Sequence, residues 1–284
     1  MKINRSSATA EGIALIRAIE AQKPAEKRLS YDPLARHLVN PWYWRLLRHF
    51  AGITDRRGPG VMDFILARER FIDEFLQAHL KAGVAQVVIL GAGLDSRAYR
   101  YGADAKPVQF FEVDQPATQK VKRERVLKVL GSIPENITYV PVDFLKDSLE
   151  GRLLESGYDP KKKTLFIWQG VTPYLTREAV DETLRTIVRI SASRSAVIFD
   201  YIYRWLLEET DRDEVARMRR SSRFTGEGLR FGFESGEVVG FLEERGFVDI
   251  QDVSTEELKN LYFHGPNSER VITSGYAIAS GRTK

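Results

Sequence analysis

Two glycines and a series of strand-end polar residues are the groups in this chain best placed to do chemistry. Gly91 and Gly93 follow Gln86-Val87-Val88-Ile89-Leu90, a β-branched and apolar run without alternation. Such a run implies a strand buried on both faces, and glycines after it let the backbone turn tightly against a ligand before a helix begins. Asp114 closes the next run, Val108 to Val113, at about the 20-residue separation where an acid meets the ribose hydroxyls of an adenosine. Asp143, Gln169 and Asp200 stand at or near the ends of three later runs. Singly, each acid could be a helix cap. In order they mark one mouth, because ligands of open α/β sheets bind beyond the carboxyl ends of the strands.

The set suits S-adenosylmethionine. Glycine backbone admits its amino-acid end at the first turn, Asp114 can accept two hydrogen bonds from the ribose hydroxyls, and Asp143 can accept one from the adenine amino group. A dinucleotide would favour a third small residue after Gly93, where Asp95 and Ser96 stand instead. An NAD(P)-dependent oxidoreductase, the main rival, also needs a hydride-transfer constellation. Tyr158 and Lys162 have the spacing, but Pro160 keeps them off one helix face. A nucleic-acid methyltransferase is disfavoured too, since Thr172-Pro173-Tyr174 lacks the preceding acid or amide pair and has no aromatic-basic stripe.

These residues need a sheet to position them, and the chain provides one. From Val84 onward strands alternate with helices, which implies a parallel sheet covered on both faces. Five runs end near Leu90, Asp114, Phe144, Gln169 and Tyr201, and two more follow at Phe247 to Val253 and Val271 to Ala279, separated by a long polar loop. The expected fold is α/β, a class I methyltransferase Rossmann-like seven-stranded sheet spanning residues 83–284. Residues 1–82 read as a helical cover, with helices over Ala8 to Gln22, from Asp32-Pro33 through Leu47, and over Val61 to Lys81. A charged, aromatic-rich helical insertion after strand five, about 203–233, has the character of a lid.

Composition narrows the field. The 284 residues, 43% of them hydrophobic, can fill a core, and no apolar run approaches the roughly 18 residues of a membrane span. The polar N-terminal stretch does not read as a signal peptide, so a cytoplasmic address is the default expectation. With no cysteine, disulfides, thiolate metal sites and a cysteine nucleophile are excluded, and no metal site is expected. The net charge of +4 comes from 43 basic residues interleaved with 39 acidic ones, which favours a mixed solvated surface over a nucleic-acid face. The densest basic stretch is Arg217 to Arg223.

Leu90-Gly91-Ala92-Gly93-Leu94-Asp95-Ser96-Arg97, Phe111-Glu112-Val113-Asp114-Gln115-Pro116, Val142-Asp143-Phe144 and Gln169 to Leu175 together resemble the leucine carboxyl methyltransferase family. That family includes protein phosphatase methyltransferases and bacterial S-adenosylmethionine-dependent enzymes, some acting on polyketides. The resemblance runs from about Lys27 to Leu184. It implies Arg68 for the cofactor carboxylate, Gly91 at the first turn, Asp114 for the ribose, Asp143 and Phe144 at the adenine, Gln169 beside the methionine portion, and Lys27 as a basic contact. Two departures stand out. The family usually has Glu where Gln169 stands, and Leu145 replaces the Arg that the phosphatase enzymes use for the acceptor's carboxylate, which argues against a phosphatase tail as substrate.

On the acceptor side the expectation is a small-molecule carboxylate or hydroxyl, polyketide-type metabolites included, and neither nucleic acid nor membrane as partner. A carboxylate needs no base, whereas a hydroxyl benefits from one. Tyr174, Tyr201 and His264 are the candidate catalytic residues. The remaining alternative is a non-catalytic relic that keeps the cofactor pocket, favoured only by the loss of the acid at Gln169.

Overall fold

The computed structural model describes residues 8–47, 60–102, 108–143, 147–208 and 228–284. The strands are β1 (Gln86–Leu90), β2 (Gln109–Asp114), β3 (Ile137–Pro141), β4 (Thr164–Trp168), β5 (Ala196–Ile202), β6 (Phe247–Ser254) and β7 (Tyr276–Thr283). They form one sheet in the order β3-β2-β1-β4-β5-β7-β6, as expected for the class I methyltransferase layout. Strands β1 to β5 are parallel, and β7 runs antiparallel between β5 and β6. The order reverses at β1, which pairs with β2 on one side and β4 on the other. That reversal opens a crevice beyond the carboxyl ends of β1, β2 and β4.

The helices are α1 (Ala8–Glu20), α2 (Ala35–Leu38), α3 (Pro41–Leu47), α4 (Val61–Lys81), α5 (Arg97–Gly102) and α6 (Pro116–Leu130). They continue with α7 (Leu149–Glu155), α8 (Arg177–Arg189), α9 (Trp205–Glu208), α10 (Glu237–Glu243) and α11 (Thr255–Tyr262). Among the described residues no helix is long and apolar enough to cross a membrane.

Successive strand residues feed opposite layers, which is why the central runs show no alternation. Val87 and Ile89 of β1, Leu165 and Ile167 of β4, and Ile198 of β5 belong to a core shared with α1 and α4. Val88, Leu90, Phe166, Trp168, Val197 and Phe199 belong to the other, shared with α8 and α10. On α4, Phe64, Ala67, Ile72 and Leu76 are buried at helical spacing. The helical cover is therefore continuous with the sheet's own core.

Three local expectations change. The helix expected through Leu47 breaks between α2 and α3, with Val39 extended at φ −75° and ψ 146°. Pro41 disfavours helical backbone at Asn40 before it, and the Asn40 N–H donates to Glu11 Oε2 at 2.9 Å. The polar loop before the last strand contains α11, begun by a capping box in which Ser254 Oγ accepts from Glu257 N at 3.2 Å and Glu257 Oε2 accepts from Ser254 N at 2.8 Å. The last strand starts at Tyr276, not at Val271, which is 60% exposed. Of the insertion after β5, residues 209–227 lie outside the described residues, the basic stretch among them.

Candidate active site

At the crevice lies a cavity of about 420 Å³, a size typical of small-ligand sites. Its floor is the turn after β1. Gly91 has φ +65°, and a Cβ there would lie 2.4 Å from Val171 Cγ2 in the turn after β4. Gly93 has φ +41°, and a Cβ on it would sit 3.3 Å from Ala10 Cβ of α1. Gly91 needs glycine for space as well as backbone conformation, and Gly93 for its backbone conformation. Asp114, at the end of β2, accepts from Gly93 N at 2.5 Å and from Gln115 N at 2.6 Å. One acid thus fixes the glycine turn against the second strand and lines the cavity.

Arg68 of α4 is 3% exposed, and its Nη1 donates to Asp200 Oδ2 at 2.5 Å. Asp200 Oδ1 accepts from Gly170 N at 2.6 Å, so a single carboxylate holds both the arginine and the turn after β4. The Nε and Nη2 of Arg68 are buried and have no partner among the described residues. Arg68 Nη1 lies 3.5 Å from where a Cβ on Gly170 would be, and Gly170 lines the cavity. Gln169, also in the wall, donates from Nε2 to Glu69 Oε1 at 2.6 Å.

Beneath this wall runs a dense set of buried ion pairs. Arg97 donates from Nε to Asp73 Oδ1 at 2.6 Å, from Nη2 to Glu69 Oε2 at 2.6 Å and from Nη1 to Asp95 Oδ2 at 2.5 Å. Burial would push the Asp95 carboxyl up, but the charges of Arg97, Arg17 and Lys122 hold it well below the ordinary carboxylate range. Arg17 of α1 donates to Leu94 O at 2.6 Å and lines the cavity, tying the cover to the glycine turn. On the far side of the turn, Lys122 Nζ pairs with Glu112 Oε2 at 2.8 Å. Burial dominates there, and the Glu112 carboxyl is pushed up to about 7 despite the lysine.

Of the expected residues, Gly91, Gly93, Asp114, Gln169 and Tyr174 come together at the cavity, with Arg68 behind Gly170. Asp143 is not in the wall, where Gln115 and Thr118 line that side, and its N–H donates to Asp147 Oδ2 at 2.8 Å. Phe144 lies outside the described residues. Lys27 is exposed at the end of a short 3-10 turn, and its carbonyl accepts from Arg270 Nη2 at 2.7 Å. Tyr201 is fully buried, its hydroxyl donating to Asp252 Oδ1 at 2.7 Å, and burial together with that acid drives its ionisation far above the usual range. Its side chain points into the core because it alternates with Asp200 along β5. His264 is exposed beyond α11 and does not reach the cavity. Sequence reasoning missed Arg17 and Glu69. The signal available was a charge among the apolar residues on the buried face of an amphipathic helix, Arg17 between Ala14 and Ala18, and Glu69 between Ala67 and Ile72.

The leucine carboxyl methyltransferase family model matches residues 10–188. A protein of Frankia alni, provisionally named an S-adenosyl-L-methionine-dependent methyltransferase, is 33% identical over 272 residues, 91% of this chain and 86% of its own. A Bacillus subtilis protein named in the same way is 31% identical over 199 residues, 70% of this chain and 65% of its own. A solved DUF574 family protein from Streptomyces avermitilis has a TM-score of 0.64 at 15% identity and covers 98% of both chains. A provisionally named methyltransferase from Thermobifida fusca has 0.60 at 15% identity, covering 96% of this chain and 94% of its own. At such identities these two structures speak for the fold alone.

Proposed function

The chain belongs to the leucine carboxyl methyltransferase family and is an S-adenosylmethionine-dependent methyltransferase, and on that premise we propose that it methylates an oxygen of a small molecule, a carboxylate before a hydroxyl. The residues present fit the cofactor. Gly91 and Gly93 turn the backbone along the cavity with positive φ, Asp114 lines it with a carboxylate for the ribose hydroxyls, and the unpartnered Nε and Nη2 of Arg68 offer a planar donor pair to a carboxylate. Gly170, having no side chain, leaves the guanidinium close behind the cavity wall, where a Cβ would lie 4.0 Å from Nη2.

Bound S-adenosylmethionine supplies a methyl group made electrophilic by its sulfonium. The remaining task falls to the chain, which must hold an acceptor oxygen in line with that methyl and keep water out. Ile13 of α1 and Val171, Tyr174 and Leu175 after β4 provide an apolar wall with one phenol. That wall is the observation that carries the proposal: Ile13, Val171 and Leu175 contribute no titratable group and Tyr174 only a phenol, so the wall offers an acceptor no side chain that readily takes a proton. An oxygen already ionised at neutral pH needs none. Tyr174 can donate a hydrogen bond that orients such an acceptor.

The test supplies purified protein with methyl-labelled cofactor and a panel of carboxylic acids, polyketide-type acids among them, together with phenols, amines and enolisable ketones. Label that mild alkali releases as methanol identifies a methyl ester and supports the carboxylate reading. Alkali-stable label on a phenol identifies an ether and moves the reading to hydroxyls. Transfer to nitrogen or carbon acceptors alone overturns it.

A further inference from the structure

Gln169 directly follows β4 and lines the cavity. Its Nε2 donates to Glu69 Oε1 at 2.6 Å. Because a carboxylate only accepts, this contact fixes the amide's orientation and turns its Oε1 the other way. That oxygen is buried and has no partner among the described residues. A buried acceptor left unpaired is costly unless a ligand satisfies it, and both residues line the cavity.

The surrounding charge points the same way. Asp32, Glu69, Asp73 and Asp95 are linked through ion pairs with Arg17, Arg97 and Arg100, four carboxylates against three guanidiniums. Glu69 is 2% exposed, so water does little to offset the excess negative charge. A cation beside Gln169 would balance it.

We propose that Gln169 and Glu69 form one receptor for the ammonium group of the cofactor's amino-acid end, Gln169 Oε1 accepting its N–H and Glu69 supplying the counter-charge. The acid lies on α4, and the amide after β4 relays its charge to the cavity. Arg68, on the same helix, keeps two unpartnered donors behind Gly170 for the carboxylate of the same amino-acid end. Glu69 is a positioning residue in this arrangement, and the inference rests on the cofactor assignment, not on the identity of the methyl acceptor.

Titration calorimetry with S-adenosylhomocysteine and with its analogue carrying hydrogen in place of the amino group tests it. Wild type should prefer the amino compound by about tenfold or more, the worth of a hydrogen bond to a charged group. Glu69→Gln should lose that preference while keeping its affinity for the deaminated analogue, and Glu69→Gln with Gln169→Glu should recover it. A purely structural Glu69 would lower the melting temperature and leave the preference unchanged, which overturns the proposal. Should Glu69→Gln fail to fold, Gln169→Leu leaves every Arg97 pair in place and must lose the preference; retention there also overturns it. Wild type that binds neither ligand would overturn the cofactor assignment and the receptor together.

Discussion

Arg97 and Arg68 are both buried, at 0% and 3% exposure, yet they are surrounded differently. All three guanidinium nitrogens of Arg97 donate to carboxylates, those of Asp73, Asp95 and Glu69. Arg68 has one carboxylate partner, Asp200, and two nitrogens left over. Saturation fits an arginine that holds structure; the incomplete set is what the proposed reading assigns to the cofactor's carboxylate. The two sides of the cavity divide similarly, with charge concentrated around Arg17, Glu69 and Asp95 and an apolar wall at Ile13, Val171 and Leu175.

The contrast breaks if the two arginines respond alike. Arg97→Met leaves three carboxylates without their shared partner and should cost about 3–5 kcal/mol in urea unfolding, the largest effect expected. Next comes the buried Glu112–Lys122 pair. With the Glu112 carboxyl pushed up to about 7 from an ordinary 4.5, the folded state holds its proton longer than the unfolded chain. The stability this contributes is fully present below about pH 4.5 and is lost as pH rises through 7, a decline on the order of 2–3 kcal/mol. Glu112→Gln combined with Lys122→Met should flatten that part of the stability profile between pH 5 and 8.

Arg68→Lys keeps a charge for Asp200 but removes the planar donor pair. Cofactor affinity should fall about 10–100-fold by calorimetry while unfolding stability changes by less than about 1 kcal/mol. A stability loss as large as that of Arg97→Met would erase the distinction between the two. The smallest effects belong to residues the fold keeps away from the cavity. Tyr201→Phe should cost about 1 kcal/mol of stability through the lost bond to Asp252, and His264→Ala nothing measurable. Methyl-transfer rates should be unchanged in both, and a large rate loss in either would place it at the acceptor after all.

The legible parts of the molecule share a physical cause. Strands covered on both faces write unbroken apolar runs, so β1, β2, β4 and β5 and the polar residues at their ends could be read directly. The family motifs fell on the same segments. Less legible were places where a polar sequence forms ordered structure: α11 hid in what looked like a loop, although the capping box at Ser254 and Glu257 was there to read. Tyr201 and His264 were expected at the mouth because each lies close in sequence to a strand end. Alternation along β5 turned Tyr201 into the core instead, and His264 sits in an exposed turn.

Sequence alone determined the sheet, the glycine turn and Asp114, because period, chain geometry and a glycine's conformational freedom are local properties. Which buried charges meet was decided by the tertiary structure. Arg68 reaches Asp200 across 132 positions and Gln169 reaches Glu69 across 100. No local pattern encodes such pairings, since an arginine or glutamate on a helix has the same neighbours in sequence whether it ends in water or under a sheet. Only when α4 packs across β4 and β5 does desolvation force each charge to find a partner, and at the cavity Gln169 is left with an unmatched acceptor.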